Sequence, residues 1–276
     1  MSEENEQQSA HIDFDKILET LERGIRRSDT FMGIGLNASE HTPPISHVLN
    51  SYGDHRLNLV KTELTDKEKI HCAEEFGKWI RGNGLRELLE TFSIYMDQLY
   101  LANFVILTTG KGGKQSDISV VQFSRMGIGD KVFHLSKIVA ISEEKILAIR
   151  ALNQARNCYA HRLGRVGVED VDKNTNGLSL FWLAMQLEGK EPNGNIILEP
   201  ELYDTVFRDG VAMQFRFVEK RKNFQLGEEL DLSKRELKEI CLWMLILGKS
   251  IFKEMVELAV SRGAELINTT PDPSHT

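Results

Sequence analysis

Apolar residues recur every three or four positions in five stretches of the chain, and this spacing is typical of α-helices that bury one face. A long apolar stripe must pack against other elements, so these stretches predict a helical core. The predicted helices cover residues 12–24, 65–81, 85–108, 135–163 and 233–262.

Local signals place the ends of these helices. Thr65 with Glu68 and Ser233 with Glu236 match the capping box that opens a helix. Ser142 precedes two glutamates and indicates a helix start within the fourth stretch. Breaks are expected at Gly24, at Gly82 and Gly84, and in an irregular connection over residues 28–54.

After the fourth stretch the pattern changes to short apolar runs separated by turn residues, which is typical of β-strands. The clearest turn signal is Pro192-Asn193-Gly194. We therefore expect a small β insertion over residues 177–231. The candidate strands are 177–187, 195–198, 211–218 and 223–226, with one further short run at 118–123.

The predicted fold class is mostly α, an antiparallel helical bundle with a small β insertion before the last helix. An N-terminal helix and an irregular connection would occupy residues 1–60. The bundle would span residues 61–266, and a polar tail would follow at 267–276.

Composition narrows the class of protein. The formal net charge of −7 disfavours nucleic-acid binding by the whole surface and leaves room only for a local basic site. Three widely separated cysteines, Cys72, Cys158 and Cys241, argue against a disulfide framework and favour a reducing compartment. Residues 1–10 are acidic and amide-rich, so we expect no secretory signal, and no apolar run approaches the length of a membrane span. We therefore expect a cytoplasmic protein without a membrane partner.

The fourth stretch separates an apolar face from a polar one. Spacing places Ala148, Leu152, Ala155, Tyr159 and Leu163 on one stripe facing the core. The polar face, roughly opposite that stripe, carries Asn153, Asn157 and His161, and Arg156 lies on the flank between the two faces.

The same helix lies in a locally basic stretch of the chain. Residues 145–168 contain no Asp or Glu, although acids outnumber bases in the whole chain. Such a window could be an ordinary solvated helix face, or it could hold an anion such as a phosphate group. The basic residues in it are Lys145, Arg150, Arg156, Arg162 and Arg165.

The segment Arg156-Asn157-Cys158-Tyr159-Ala160-His161 resembles the signature of the HEPN superfamily of α-helical domains. That signature is an arginine, a polar neighbour and, after a spacer of four to six residues, a histidine. The predicted bundle with a long closing helix is also similar to that family.

The resemblance implies metal-independent cleavage of RNA by a toxin or antiviral-defence effector. His161 would be the general acid or base, Arg156 the phosphate clamp, and Asn157 an orienting hydrogen-bond partner. From their charge, Arg150, Arg162 and Arg165 are the candidate RNA-binding residues. The implied partners are RNA, a second copy in a homodimer whose two motifs meet, and an antitoxin or defence-system protein.

One position departs from the family pattern. Members that a partner nucleotidyltransferase neutralises often have a tyrosine two residues after the histidine, where this chain has Leu163. This departure argues against that antitoxin pairing and leaves the RNase chemistry untouched.

The alternative function is a non-catalytic, dimeric HEPN-like binding or scaffold module. In it, Arg156, Asn157 and His161 would only bridge polar contacts at a helix interface, buried and saturated by carboxylates. The catalytic hypothesis expects the arginine and the histidine both to open to one cleft, with no acid neutralising the arginine.

No cofactor or metal is expected. His41, His47 and His55 match no compact metal-site spacing. The glycine-rich run 110–116 lacks the first glycine of a phosphate loop at the required distance, and Gln115 stands where Ser or Thr should follow Lys114. A flexible loop is the better interpretation.

Overall fold

The computed structural model describes residues 10–42, 63–109, 118–172, 177–199, 206 and 210–265. Within them the chain is mostly helical with a small antiparallel sheet before the last helix, so this part of the predicted fold class is confirmed. The helices are α1 (Phe14–Ser39), α2 (Asp66–Thr109), α3 (Val120–Ser124), α4 (Ile128–Leu135), α5 (Glu143–Arg162) and α6 (Lys234–Ser261). The strands are β1 (Gly177–Lys190), β2 (Ile196–Leu198) and β3 (Ala212–Gln225).

The chain forms two compact units. The first consists of the described parts of 1–23, 90–149 and 245–276, and the second of the described parts of 24–89 and 150–244. The boundaries expected after residues 60 and 266 both fall outside the described residues. The polar tail expected at 267–276 lies outside the described residues.

In the first unit, aromatic and charged side chains are joined inside the core. The Tyr95 hydroxyl donates to the Gly248 carbonyl over 2.7 Å. The buried Lys131 ammonium donates to Ser93 Oγ and to Asp97 Oδ2, each over 2.8 Å. An ammonium buried this deeply is stabilised by its carboxylate and hydroxyl partners.

In the second unit, glycines inside helices allow close packing. A Cβ atom at Gly84 would lie 2.1 Å from Met32 Cγ, and one at Gly82 would lie 2.9 Å from Tyr159 Cβ. The break predicted at these glycines is therefore wrong, and α2 continues through both. Close approach of a neighbouring element, and not a turn, explains the missing side chains.

Close helix packing at a glycine also explains why the predicted end of the N-terminal helix is wrong. A Cβ atom at Gly35 would lie 2.4 Å from Ile80 Cδ1, so α1 packs against α2 at this point. The helix predicted to end at Gly24 runs to Ser39, and the irregular connection is wrong for residues 28–39. Residues 43–54 of that connection lie outside the described residues, as does the glycine-rich run 110–116.

The sheet has the strand order β2-β1-β3, and both pairings are antiparallel. The register of β1 with β3 runs from Gly177 opposite Gln225 to Lys190 opposite Ala212, so the two strands predicted at 211–218 and 223–226 are one strand. The turn before β2 is confirmed, with Gly194 at a φ of 91°.

Glutamates of α6 attach the sheet to this helix. Glu239 accepts hydrogen bonds from Trp182 Nε1 over 3.0 Å and from Lys220 Nζ over 2.6 Å. Glu236 accepts from Lys222 Nζ over 2.8 Å. Residues from opposite ends of the insertion are thereby held on one helix.

The capping patterns at Thr65 and Ser233 are confirmed. The backbone N–H of Glu68 donates to Thr65 Oγ1 over 3.3 Å, and that of Glu236 donates to Ser233 Oγ over 3.2 Å. The strand predicted at 118–123 is wrong, because Ser119 caps α3 there through a capping box with Gln122. Helical structure is also absent from residues 136–142, which separate α4 from α5.

Candidate functional site

The motif lies in the last two turns of α5. As predicted, Ala148, Leu152, Ala155 and Tyr159 are buried on the core side of this helix. The fifth member of the stripe is a correction: Leu163 is 81% exposed and has a φ of 53°. The helix ends at Arg162, so helical periodicity no longer determines where Leu163 lies.

The end of α5 is anchored to the segment that precedes α6. The Gly164 N–H donates to the Cys158 carbonyl over 3.2 Å, and the Gly164 carbonyl accepts from the Leu230 N–H over 2.7 Å. The Tyr159 hydroxyl donates to the Leu230 carbonyl. A Cβ atom at Gly164, whose φ is 86°, would lie 2.8 Å from Tyr159 Cε1, so only glycine suits this position.

His161 is exposed on the side of α5 away from the core, as the sequence predicts. Among the described residues, no carboxylate is paired with its imidazole. The ring is therefore open to a ligand.

Arg156 is partly buried beside Asn157. Its Nη1 donates to Asn157 Oδ1 over 2.9 Å. Its Nε is buried without a hydrogen-bond partner, as is the Asn153 side-chain oxygen one turn earlier. Within the described part of the chain no carboxylate is paired with Arg156, so its positive charge is not compensated locally.

The Arg162 guanidinium is bound by carboxylates of the chain itself, whereas the sequence predicted that it contacts RNA. Its Nε donates to Asp170 Oδ2 over 2.7 Å, its Nη2 donates to Asp170 Oδ1, and its Nη1 donates to Glu169 Oε2 over 3.0 Å. Asp170 is 1% exposed. A bidentate pair with a buried carboxylate engages the Arg162 guanidinium within the fold, which argues against an RNA contact.

The other two expected RNA-binding residues differ in their surroundings. Arg165 donates to the Gly227 carbonyl over 3.2 Å and lies 3.7 Å from Glu229, while much of its side chain is exposed. Arg150 is exposed on α5. Acidic residues from outside residues 145–168 therefore lie next to Arg162 and Arg165 and lower the positive charge that the sequence predicted there.

Asp170 is the residue that sequence reasoning missed. It lies two positions beyond the acid-free residues 145–168, in a turn without periodicity, and no sequence signal links it to Arg162. Burial and the neighbouring Asp170 carboxylate raise the pKa of the Cys158 thiol to about 12. Cys158 is therefore a protonated core residue at neutral pH and not a nucleophile.

The motif does not line the cavity of about 590 Å³ found in this unit. That cavity lies between the end of α1, the start of α2 and residues 229–231, and its lining includes His41 and Arg81. Among the described residues, no group of three or more His, Cys, Asp and Glu side chains is arranged to hold a metal ion. No described helix is both long enough and apolar enough to cross a membrane.

Comparisons of the chain with protein-family models, with curated proteins and with solved structures found no match.

Proposed function

We propose that this chain is a metal-independent endoribonuclease of the HEPN type, acting as a toxin or an antiviral-defence effector. The observation that carries the proposal is the uncompensated charge of Arg156, whose guanidinium donates to Asn157, on the same anchored helix end as an exposed His161. RNA cleavage without a metal ion needs proton transfer and stabilisation of the phosphorane charge, which an imidazole and a guanidinium can supply.

The reaction makes defined demands on these groups. A base removes the proton of a ribose 2′-hydroxyl, whose oxygen attacks the adjacent phosphorus, and the P–O5′ bond breaks. A proton goes to the departing 5′-oxygen, leaving a cyclic phosphate and a free 5′-hydroxyl. His161 transfers a proton, and Arg156 stabilises the charge that develops on the phosphorane oxygens.

Two proton transfers are best served by two histidines, and a homodimer would provide them. Large apolar side chains next to the motif support self-association at this end of α5. Leu163 is 81% exposed and Val168 is 75% exposed, and such surface is more stable when covered. Arg150 and Arg165 would then contact the RNA strand that enters the paired motifs.

RNA cleavage in excess EDTA tests the proposal. Wild-type protein should cleave total RNA, and the His161→Ala and Arg156→Ala variants should each lose at least about a hundredfold in rate, the lower end of what acid–base or charge stabilisation contributes. His71→Ala, which removes an exposed histidine from α2, is the matched control and should cleave like wild type. Circular dichroism should show equal helicity, because neither motif side chain fills the core.

Expression in cells gives a second measurement. The wild-type enzyme should stop growth, and the His161→Ala variant should be harmless. Equal cleavage by all variants would place the activity at another site. If wild-type protein neither cleaves RNA nor arrests growth, the proposal fails.

A dimeric binding or scaffold module is the second candidate function, and an exposed apolar face of the sheet favours it. The β1–β3 register places Met185 opposite Phe217 on one face, and Phe217 is 50% exposed. Phe215 and Met213 extend that face and are 65% and 52% exposed. Aromatic and methionine side chains in such a patch are typical of protein interfaces.

A further inference from the structure

We propose that Arg162 and Asp170 form a positioning pair that fixes the last turn of α5 and thereby the orientation of the His161 imidazole. This inference rests on the proposed function for its catalytic consequence, while the positioning itself can be measured without activity. It assigns to Arg162 a role other than the RNA contact that its charge first suggests.

Several hydrogen bonds hold the two side chains of the pair in one arrangement. Asp170 Oδ2 accepts from Arg162 Nε over 2.7 Å and from the Gly167 N–H over 2.8 Å. Asp170 Oδ1 accepts from Arg162 Nη2, so both carboxylate oxygens hold the planar guanidinium. A Cβ atom at Gly167 would lie 2.6 Å from Arg162 Cδ, and glycine therefore lets the loop close over the arginine stem.

The pair affects His161 because Arg162 is its neighbour in the chain. Arg162 is the last helical residue and follows His161 directly. Helix ends fray unless side chains or tertiary contacts hold them. Because the Arg162 side chain is tied to a carboxylate that is 1% exposed, the backbone carrying His161 cannot unwind without breaking a buried ion pair.

The backbone after the helix needs such support. Leu163 has a φ of 53°, a conformation that L side chains rarely adopt. Asp170 lies seven residues beyond Leu163 and pairs with Arg162, so the ion pair closes the segment that contains this turn.

Other contacts would keep the fold when this pair is weakened. The Tyr159 hydroxyl still bonds the Leu230 carbonyl, and the Leu230 N–H still bonds the Gly164 carbonyl. A variant of Arg162 should thus loosen the last turn without unfolding the unit. Catalytic geometry is sensitive to such loosening, since a displacement of about 1 Å can cost a hundredfold in rate.

The test is Arg162→Lys, which keeps the positive charge but cannot hold both carboxylate oxygens in a planar fork. In RNA cleavage we expect kcat to fall by up to about a hundredfold with KM unchanged. In protein labelled with ¹⁵N-histidine we expect one set of His161 imidazole signals for wild type and broadened or doubled signals for Arg162→Lys. A purely structural role of the pair would change neither the kcat-to-KM pattern nor this signal.

Arg216→Lys is the matched control. Arg216 Nε lies 2.7 Å from Oε1 of Glu188, a glutamate that is 2% exposed, so this variant makes the same substitution beside another buried carboxylate, away from the motif. It should keep the wild-type kcat, KM and His161 signals.

The two proposals can fail separately. If wild-type protein cleaves no RNA and Arg162→Lys still perturbs the His161 signals, the endoribonuclease proposal fails and the positioning pair stands. If Arg162→Lys leaves the His161 signals and kcat at their wild-type values, the positioning pair is overturned.

Discussion

Tyr159 links the motif to the rest of its unit through one side chain. Its ring lies against Gly82 of α2 and Gly164 after α5, and its hydroxyl donates to the Leu230 carbonyl. Burial raises the pKa of this hydroxyl well above its ordinary value, so it remains a donor throughout the neutral range. A single tyrosine therefore sets how closely α2 and the end of α5 approach.

Gly82→Ala tests that close approach. An alanine normally stabilises a helix by about 1 kcal/mol relative to glycine. Here its Cβ would lie 2.9 Å from Tyr159 Cβ, an atom next to the backbone, and overpacking should cost about 1–3 kcal/mol. We expect a lower free energy of unfolding in urea for Gly82→Ala.

Gly33→Ala is the control, because a Cβ atom at Gly33 of α1 meets nothing within 4 Å. That variant should gain about 0.5–1 kcal/mol. An equal gain at Gly82 would mean that Tyr159 moves aside at little cost.

At the scale of elements, the start of α6 combines a cap with the attachment of the sheet. Glu236 Oε2 accepts from the Ser233 N–H over 2.7 Å and from Lys222 Nζ of β3 over 2.8 Å. Burial alone would raise the pKa of Glu236, but the hydrogen bonds from Lys222 and Ser233 outweigh it and lower that pKa. The ionised carboxylate thus stabilises helix start and strand together.

The free energy of unfolding should depend on pH in a way that reflects the lowered pKa of Glu236. Because the pKa of Glu236 is lower in the folded chain than in the unfolded one, its contribution is present above the ordinary value of 4.5 and is lost as the pH falls. The free energy of unfolding should therefore fall less steeply in acid for Glu236→Gln than for wild type, from a lower value at neutral pH. Glu257→Gln, on the exposed side of α6, should keep the wild-type slope. Identical slopes for wild type and Glu236→Gln would contradict the assignment.

At the scale of the whole molecule, acidic residues outnumber basic ones, so a basic stretch of the sequence need not form a positively charged surface. The chain has 41 acidic and 34 basic residues, and the fold directs Glu169 and Asp170 to Arg162 and Glu229 to Arg165. Arg156 has no such partner among the described residues. Arg156, which carries the proposed chemistry, therefore differs from Arg162 and Arg165 in its surroundings and not in its place in the window.

We predict that the chain is a homodimer through the surface around Asn157, Leu163 and Val168. Sedimentation velocity at micromolar concentration should give the mass of two chains. Leu163→Asp should shift the protein to a monomer, because a carboxylate at an 81% exposed apolar position would be desolvated in the interface. Val121→Asp, at a position on α3 that is 59% exposed, should remain dimeric. A monomeric wild type would remove the paired motifs from the proposed mechanism.

The sequence by itself determined the features that depend on residues a few positions apart. The capping boxes at Thr65 and Ser233 lie within four consecutive residues each, and both form as predicted. The outward position of His161 follows from helical spacing within α5. The β insertion and its turn at residues 192–194 follow from a change of period and from turn residues.

Only the tertiary structure decided which local signals were overridden. Gly82 and Gly84 are typical helix breakers, yet they remain helical because Tyr159 and Met32 pack where a side chain would stand. Arg162 belongs to a basic window, yet its guanidinium is held by Asp170. Close packing and ion pairing depend on atoms that the fold brings together from distant or aperiodic parts of the chain, and local periodicity contains no information about them.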